Sequence, residues 1–264
     1  MKTRLLREST FAPLLGIFFL LPLMPILLWA FADRWTYPGR TPQHWGVRGI
    51  SQFFDDGGIG SVVKSLLISV AVAALAVPLS SAAASSLIHS KSRASRLVEA
   101  ILFSPTVIPP FVLVMGLSPW VIRFGIPPTL AVVITLVVLA LPYSTFMMRS
   151  AYARYDPRWE EEARLLGATR FGAVVRVRLP IMTRAFIAAA ILAFLIGWTD
   201  YIVTLVIGGG QVITLPLLAA SSSSAPGNDS VLAVMSIISI AIPLLALALI
   251  RRSDSTLKNE VLSL

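Results

Sequence analysis

The stretch EEARLLGATRFGAVVRVRLP, Glu161 to Pro180, sets two carboxylates and four arginines together in a chain that is 13% charged and 56% hydrophobic. Extended back to Tyr155, it has the grammar of a helix. Asp156 is a good N-cap, and Pro157 suits the first helical position, where its missing N–H costs nothing. Glu160, Glu161 and Glu162 follow in the first turns, where the helix dipole favours acids. Trp159, Ala163 and Leu166 fall at i, i+4 and i+7 and make an apolar stripe. Gly167 is the expected stop, since glycine accepts the left-handed conformation of a helix end. A second amphipathic segment is expected from Thr169 to Arg178, ending at Leu179-Pro180 and set at an angle to the first. Such a helix could lie on a charged surface of solvent or lipid, but three consecutive glutamates repel anionic lipid. A protein groove that takes an apolar ridge framed by both signs of charge fits better.

Outside this loop the sequence changes character. Uncharged apolar runs of about 20 residues recur, long enough to cross a bilayer, and charge falls well short of the usual quarter of a soluble domain. Six spans are expected, at 11–31, 65–88, 100–122, 124–148, 185–207 and 230–250, with the charged loop at 149–184. The expected fold is an all-α membrane protein of six transmembrane helices in a single domain, 1–264. The first run has a basic lead-in and an AFA at Ala30 to Ala32 like that of a secretory signal. It is too long for one, and Pro22 and Pro25 interrupt it, so an uncleaved anchor is expected. The third and fourth runs nearly touch, which makes SPWVIRFGIPP (118–128) a tight, partly embedded turn.

Seventeen of the 22 Lys and Arg fall at the N-terminus, around Lys91 to Arg96, in the 149–184 loop and in the tail. The positive-inside rule then places both termini and the loop in the cytoplasm. The net charge of +9 reflects this topology and lipid head groups, and calls for no nucleic-acid partner. The absence of Cys excludes disulfides, thiolate metal sites and thiol catalysis. The two histidines, His44 and His89, stand apart, so no histidine metal site is expected.

Several spans carry features beyond hydrophobicity. The second is dense in Ala and Ser, which suits close packing inside a bundle. In the third, SPTVIPP holds Pro105, Pro109 and Pro110, and irregular backbone at membrane depth survives only if buried in protein or lining a wet cavity. That region is either a tolerated kink or part of a pathway, with Ser104 and Thr106 as candidates. Asp200 is the only acid inside a span, and an ionisable group there is a functional candidate by default, with Trp198, Thr199 and Tyr201 beside it. Counted from Ala185 it lies about 22 Å along a helix, in the outer half, where pairing with a base or water is the alternative. A carboxylate in this place favours a cationic or hydrogen-bond-donating solute. The aromatic residues of 32–60 suit an interfacial lid or belt, and the Gly and Ser clusters of 208–229 read as mobile loop.

The loop also resembles the EAA motif of permease subunits of binding-protein-dependent ABC importers. In that motif EAA is followed by three residues, Gly, nine residues and Ile-x-Leu-Pro. Here Glu161-Glu162-Ala163, Gly167 and Val177-Arg178-Leu179-Pro180 hold those places, with Glu162 and Val177 as departures. The motif lies between the fourth and fifth expected spans, as in the family. The resemblance implies a type I importer permease fold whose coupling helix, with Glu161, Glu162, Ala163, Leu166, Gly167, Leu179 and Pro180, docks in a cytoplasmic ATPase dimer. It further implies a second permease subunit, homologous or identical, and an external solute-binding protein, in a bacterial inner membrane. ATP and Mg would sit on the ATPase; this chain has no phosphate loop, needs no cofactor and is not expected to be an enzyme. Within the family, LPYSTFMMRSAYARYDPRWEEEARLLGA and DYIVTLVIGGGQVITLPLL look most like the polyamine, thiamine, iron and phosphonate branch, and Asp200 leans toward a polyamine.

The competing expectation is a secondary transporter or channel working without ATP, which would need several intramembrane charges where one is present. An intramembrane enzyme would need a nucleophile with a base or a metal set, and no span offers one. A structural subunit stays open.

Overall fold

The computed structural model describes residues 18, 21–36, 38–90 and 92–262, whose regular elements are helices apart from a two-stranded ribbon. In chain order the elements begin with α1 (Met24–Ala30), β1 (Ala32–Arg34), β2 (His44–Trp45), α2 (Arg48–Asp55) and α3 (Gly58–His89). Next come α4 (Arg93–Val107), α5 (Pro110–Arg123), α6 (Pro128–Tyr152), α7 (Arg158–Leu165) and α8 (Arg170–Ala173). A π-helical turn (Val174–Arg178) leads into α9 (Leu179–Trp198), followed by α10 (Ile202–Val206), α11 (Leu215–Ser223) and α12 (Asp229–Leu262). The described residues form two compact units, one up to Ser61 together with those from Leu215 on, the other Val62–Thr214.

In the first unit, α1 and α2 pack on α12. The Ser230 hydroxyl donates to the Ala32 carbonyl, and Gln52 Nε2 donates to Asn228 Oδ1 at 3.0 Å. A β-carbon at Gly49 would lie 2.7 Å from the Ser230 carbonyl carbon, so glycine is what lets α2 meet the start of α12. The 208–229 stretch is not all loop, because α11 occupies Leu215–Ser223. Its serines turn their hydroxyls back onto the helix, as Ser221 does to the Leu218 carbonyl at 2.8 Å, and so remain compatible with helix.

In the second unit α9 packs along α6. Val72, Leu136, Ala140, Ala193 and Val203 make the core at one end, and Ala84, Met148, Tyr152, Met182 and Ala189 the core nearer the charged loop. Helix α3 buries one stripe, Ser65, Ile68, Ser69, Val72, Ala76, Ser80 and Ala84, while Leu67, Val70 and Leu79 stay exposed. It lies inside a bundle by one face only. Small residues give the close approach: a β-carbon at Gly197 would be 2.9 Å from the Ser69 Cα.

Among the described residues four helical runs are long and apolar enough to cross a membrane: Gly58–Ile88, Pro128–Tyr152, Arg170–Trp198 and Asp229–Ile250. Helices α4 and α5, bent by 109°, make a fifth if taken as one span. Of the expected 11–31 span, residues 11–17, 19 and 20 lie outside the described residues, and α1 covers Met24–Ala30 of the rest. The expected 100–122 span is not one helix. A residue before proline is driven from the helical region, and with Pro109 and Pro110 in succession both Ile108 (ψ 128°) and Pro109 (ψ 132°) are extended. Two prolines likewise move the start of the next helix from 124 to Pro128, with Gly125 at φ +60° in the turn. The expected 185–207 span stops at Trp198 and restarts at Ile202.

Candidate functional site

The charged loop begins as its residues dictate. Asp156 Oδ1 accepts from the Arg158 N–H at 3.0 Å across Pro157, which holds the N-cap position one residue later than expected, and the first turn holds Glu160 and Glu161. Gly167 ends it at φ +95°. Its N–H reaches the Arg164 carbonyl and that of Ala168 the Ala163 carbonyl, each at 3.0 Å, the paired bonds of a Schellman stop. Helix α7 buries no residue of its own. Its apolar side chains face outward: Trp159 is 55% exposed, Leu165 87%, Leu166 90% and, on α8, Phe171 78%. Glu161 and Glu162 are exposed beside them and Ala163 is half-buried.

The second segment does not end at Leu179-Pro180 as expected. The helical run is continuous from Arg170 to Trp198. A proline ring clashes with the carbonyl four residues back, here Arg176, and that residue lies in the π turn, whose wider winding makes room. Pro180 therefore sits inside the run that becomes the span.

A cluster at the base of the loop went unread in the sequence. Arg178 Nε and Nη2 donate to Glu160 Oε1 and Oε2 at 2.6 and 2.8 Å, and the Tyr155 hydroxyl donates to Glu160 Oε1 at 2.9 Å. The Arg178 guanidinium lies 5.8 Å over the Tyr152 ring, and the Tyr152 hydroxyl meets Ser81 Oγ at 2.8 Å. Burial opposes the Glu160 charge, but the bonds from Arg178 and Tyr155 outweigh it and hold the carboxyl below its ordinary range. Burial and the bond to Glu160 push the Tyr155 phenol up to about 12. Glu160 reads in sequence as one of three dipole-favoured acids, and nothing in an 18-residue separation announces Arg178.

The breaks in the spans meet at a cleft of about 600 Å³ lined by Pro105, Pro110, Tyr143, Thr199, Asp200 and Tyr201, with aliphatic side chains of α6 and α9. Asp200 has structural work there. Its Oδ1 accepts from the Val203 N–H at 3.1 Å and its Oδ2 from the Thr204 N–H and hydroxyl at 2.9 and 2.8 Å, capping α10. Trp198 is buried and stacked on Phe194, with ring centroids 6.0 Å apart, outside the lining. Ser104 and Thr106 are also outside it. The Ser104 hydroxyl donates at 2.8 Å to the Ile101 carbonyl, the one that Pro105 leaves without its helical partner. Thr106 bonds back in the same way to Phe103, at 2.7 Å. Of the six path candidates, Thr199, Asp200 and Tyr201 border the cleft, Trp198 packs in the interior, and Ser104 and Thr106 serve the local backbone. Among the described residues no group of three or more His, Cys, Asp or Glu could hold a metal.

A solved structure described as the crystal structure of an amino acid ABC transporter with histidines superposes on 77% of this chain and 96% of that one, with a TM-score of 0.56 and 18% identity. The two chains share a fold. The family described as "Binding-protein-dependent transport system inner membrane component" matches residues 76–259, and the chain belongs to it. It is a multi-pass protein of the bacterial inner membrane. The inner membrane ABC transporter permease protein YcjP of Escherichia coli is 24% identical over 186 residues, 69% of this chain and 66% of that one, so the chain spans just under two thirds of that relative. The spermidine/putrescine transport system permease protein PotC of Haemophilus influenzae is 25% identical over 206 residues, 76% of this chain and 80% of that one.

Proposed function

We propose that this chain is the permease subunit of an ATP-driven importer, with residues 1–264 forming one permease domain of six spans and both termini and the 149–184 loop in the cytoplasm. It works with a second permease subunit, a cytoplasmic ATPase dimer that carries ATP and Mg, and an external solute-binding protein. Helix α7 is the coupling helix, with Glu161, Glu162, Ala163, Leu166 and Gly167 at the ATPase and Leu179 and Pro180 joining the loop to the span. One observation carries this: in a loop rich in charge, Trp159, Leu165, Leu166 and Phe171 turn into solvent, where apolar area is costly unless another protein covers it. Acids and arginines frame the ridge, and helix-in-groove docking uses such a face.

The cleft beside the helix breaks is the solute path. A polyamine, or another small cationic solute, is the substrate class, supported by the similarity to PotC and by the single carboxylate on the cleft wall. Because Asp200 spends its oxygens on capping, its contribution to such a solute is mainly charge.

The test is affinity purification of the tagged chain from native membranes in mild detergent, wild type beside Leu166→Glu. Leu166 is 90% exposed, so the substitution leaves folding intact. The wild type recovers an ATPase and a second permease, and the variant loses the ATPase while keeping the permease. Retention of the ATPase by Leu166→Glu, or no ATPase with wild type in several detergents, would overturn the docking assignment.

A further inference from the structure

We infer that Glu160 and Arg178 form a latch that makes the coupling helix and the base of the α9 span one mechanical unit. This rests on the reading of α7 as the coupling helix. An eight-residue helix is marginal alone, and α7 buries no side chain that would fix its direction. What fixes it is the two-pronged ion pair, with Tyr155 as a third contact on the same carboxylate. Both partners are shielded, with 27% of the Arg178 side chain and 16% of the Glu160 side chain exposed. Glu161, Glu162, Arg164 and Arg176, close by in sequence, are all exposed.

Arg178 is the last residue of the π turn. A π turn is a local register shift, and restoring the α register would swing Arg178 about 100° around the axis, away from Glu160. A planar guanidinium held at two points resists that rotation, where a lysine would not. The latch thus holds the winding of the turn as well as the position of α7. From Arg178 the contact continues over the Tyr152 ring on α6 and through its hydroxyl to Ser81 on α3. A cleft of about 430 Å³, lined by Pro78, Ser81, Tyr152, Val174, Arg178 and Phe186, adjoins the turn and gives it room to change winding. Displacement of α7 by the ATPase therefore reaches three helices through named contacts, without deforming the exposed loop first.

The experiment uses the full transporter in lipid with Glu160→Gln, Arg178→Gln, Arg178→Lys and the double variant E160Q/R178Q, with Arg154→Gln as exposed control. Hydrogen exchange of the α7 amides, ATPase recovery and solute moved per ATP hydrolysed are measured. The singles should speed exchange in 158–165 by about tenfold or more, the loss of charge-assisted bonds expressed as a population. They should keep the ATPase bound, because its docking face is untouched, yet lower solute moved per ATP. The double variant should be no worse than either single, Arg178→Lys should recover only part of the wild-type protection, and Arg154→Gln should match wild type. Unchanged exchange in the singles, or additive losses in the double, would overturn the latch. If wild type recovers no ATPase, the docking reading fails, and the exchange data still judge the latch by themselves.

Discussion

Gly167→Val is the perturbation that tests the loop most directly. Gly167 holds φ +95°, and a β-carbon there would meet nothing within 4 Å. The penalty is therefore confined to the backbone, with no steric clash against a neighbour. The left-handed region costs an L-residue roughly 1–2 kcal/mol, and more for a β-branched side chain. If the loop leaves that conformation, it forfeits the Gly167 and Ala168 bonds that close α7, each worth about 1 kcal/mol. The two routes cost alike, so the docking-competent loop loses roughly 1–2 kcal/mol of population, or about 5- to 30-fold in apparent ATPase affinity. Titration of the ATPase recovered with wild type onto lipid-embedded variant chain reads this number. Gly125→Ala is the control, since its φ of +60° and open surroundings impose the same kind of strain in the turn between α5 and α6. It should lower thermal stability and leave ATPase affinity alone. An unchanged affinity in folded Gly167→Val, or an equal loss in Gly125→Ala, would refute the reasoning.

Other outcomes follow from the same geometry. Gly197→Val pushes a β-carbon against the Ser69 backbone at 2.9 Å and should destabilise the α3–α9 contact by roughly 1–3 kcal/mol, seen as a lower thermal midpoint in detergent; no shift would deny the close packing. Asp200→Asn leaves one acceptor oxygen where the α10 cap uses two, which should cost about 1–3 kcal/mol of stability, and removes the charge at the cleft, so uptake of a cationic solute by the folded variant should fall about tenfold, a cost on the scale of one charged hydrogen bond. Undiminished uptake would leave Asp200 as a cap alone. The latch should depend on pH. Because the Glu160 pKa is lowered, its contribution is complete above the ordinary 4.5 and disappears as pH falls through the lowered value. The Tyr155 phenol acts in the opposite range, being complete below 10.0 and lost as pH rises toward about 12. Spin labels on Arg164→Cys and Arg184→Cys, introduced into a chain with no native Cys, should report one narrow distance between these limits and a broad one outside them. A distribution unchanged by strong acid would contradict this.

The elements that were legible in sequence are those whose cause is local. Asp156, Pro157 and the glutamates start α7, and Gly167 stops it, because capping and backbone conformation act within one turn. Membrane character was equally plain, because apolar length alone satisfies a bilayer. The breaks are a partial case. Pro109 and Pro110 announced irregular backbone, but they did not give the size of the bend, 109° between α4 and α5. Pro180 read as a helix end and lies within a continuous run, because the π turn ahead of it absorbs the clash. Asp200 was visible as a lone intramembrane acid, yet its capping of α10 required a break in the span that its apolar neighbours concealed. Only the tertiary structure could bring Glu160 to Arg178 and Tyr152 to Ser81. Contacts across such separations depend on how the helices return on one another, and no single turn encodes that.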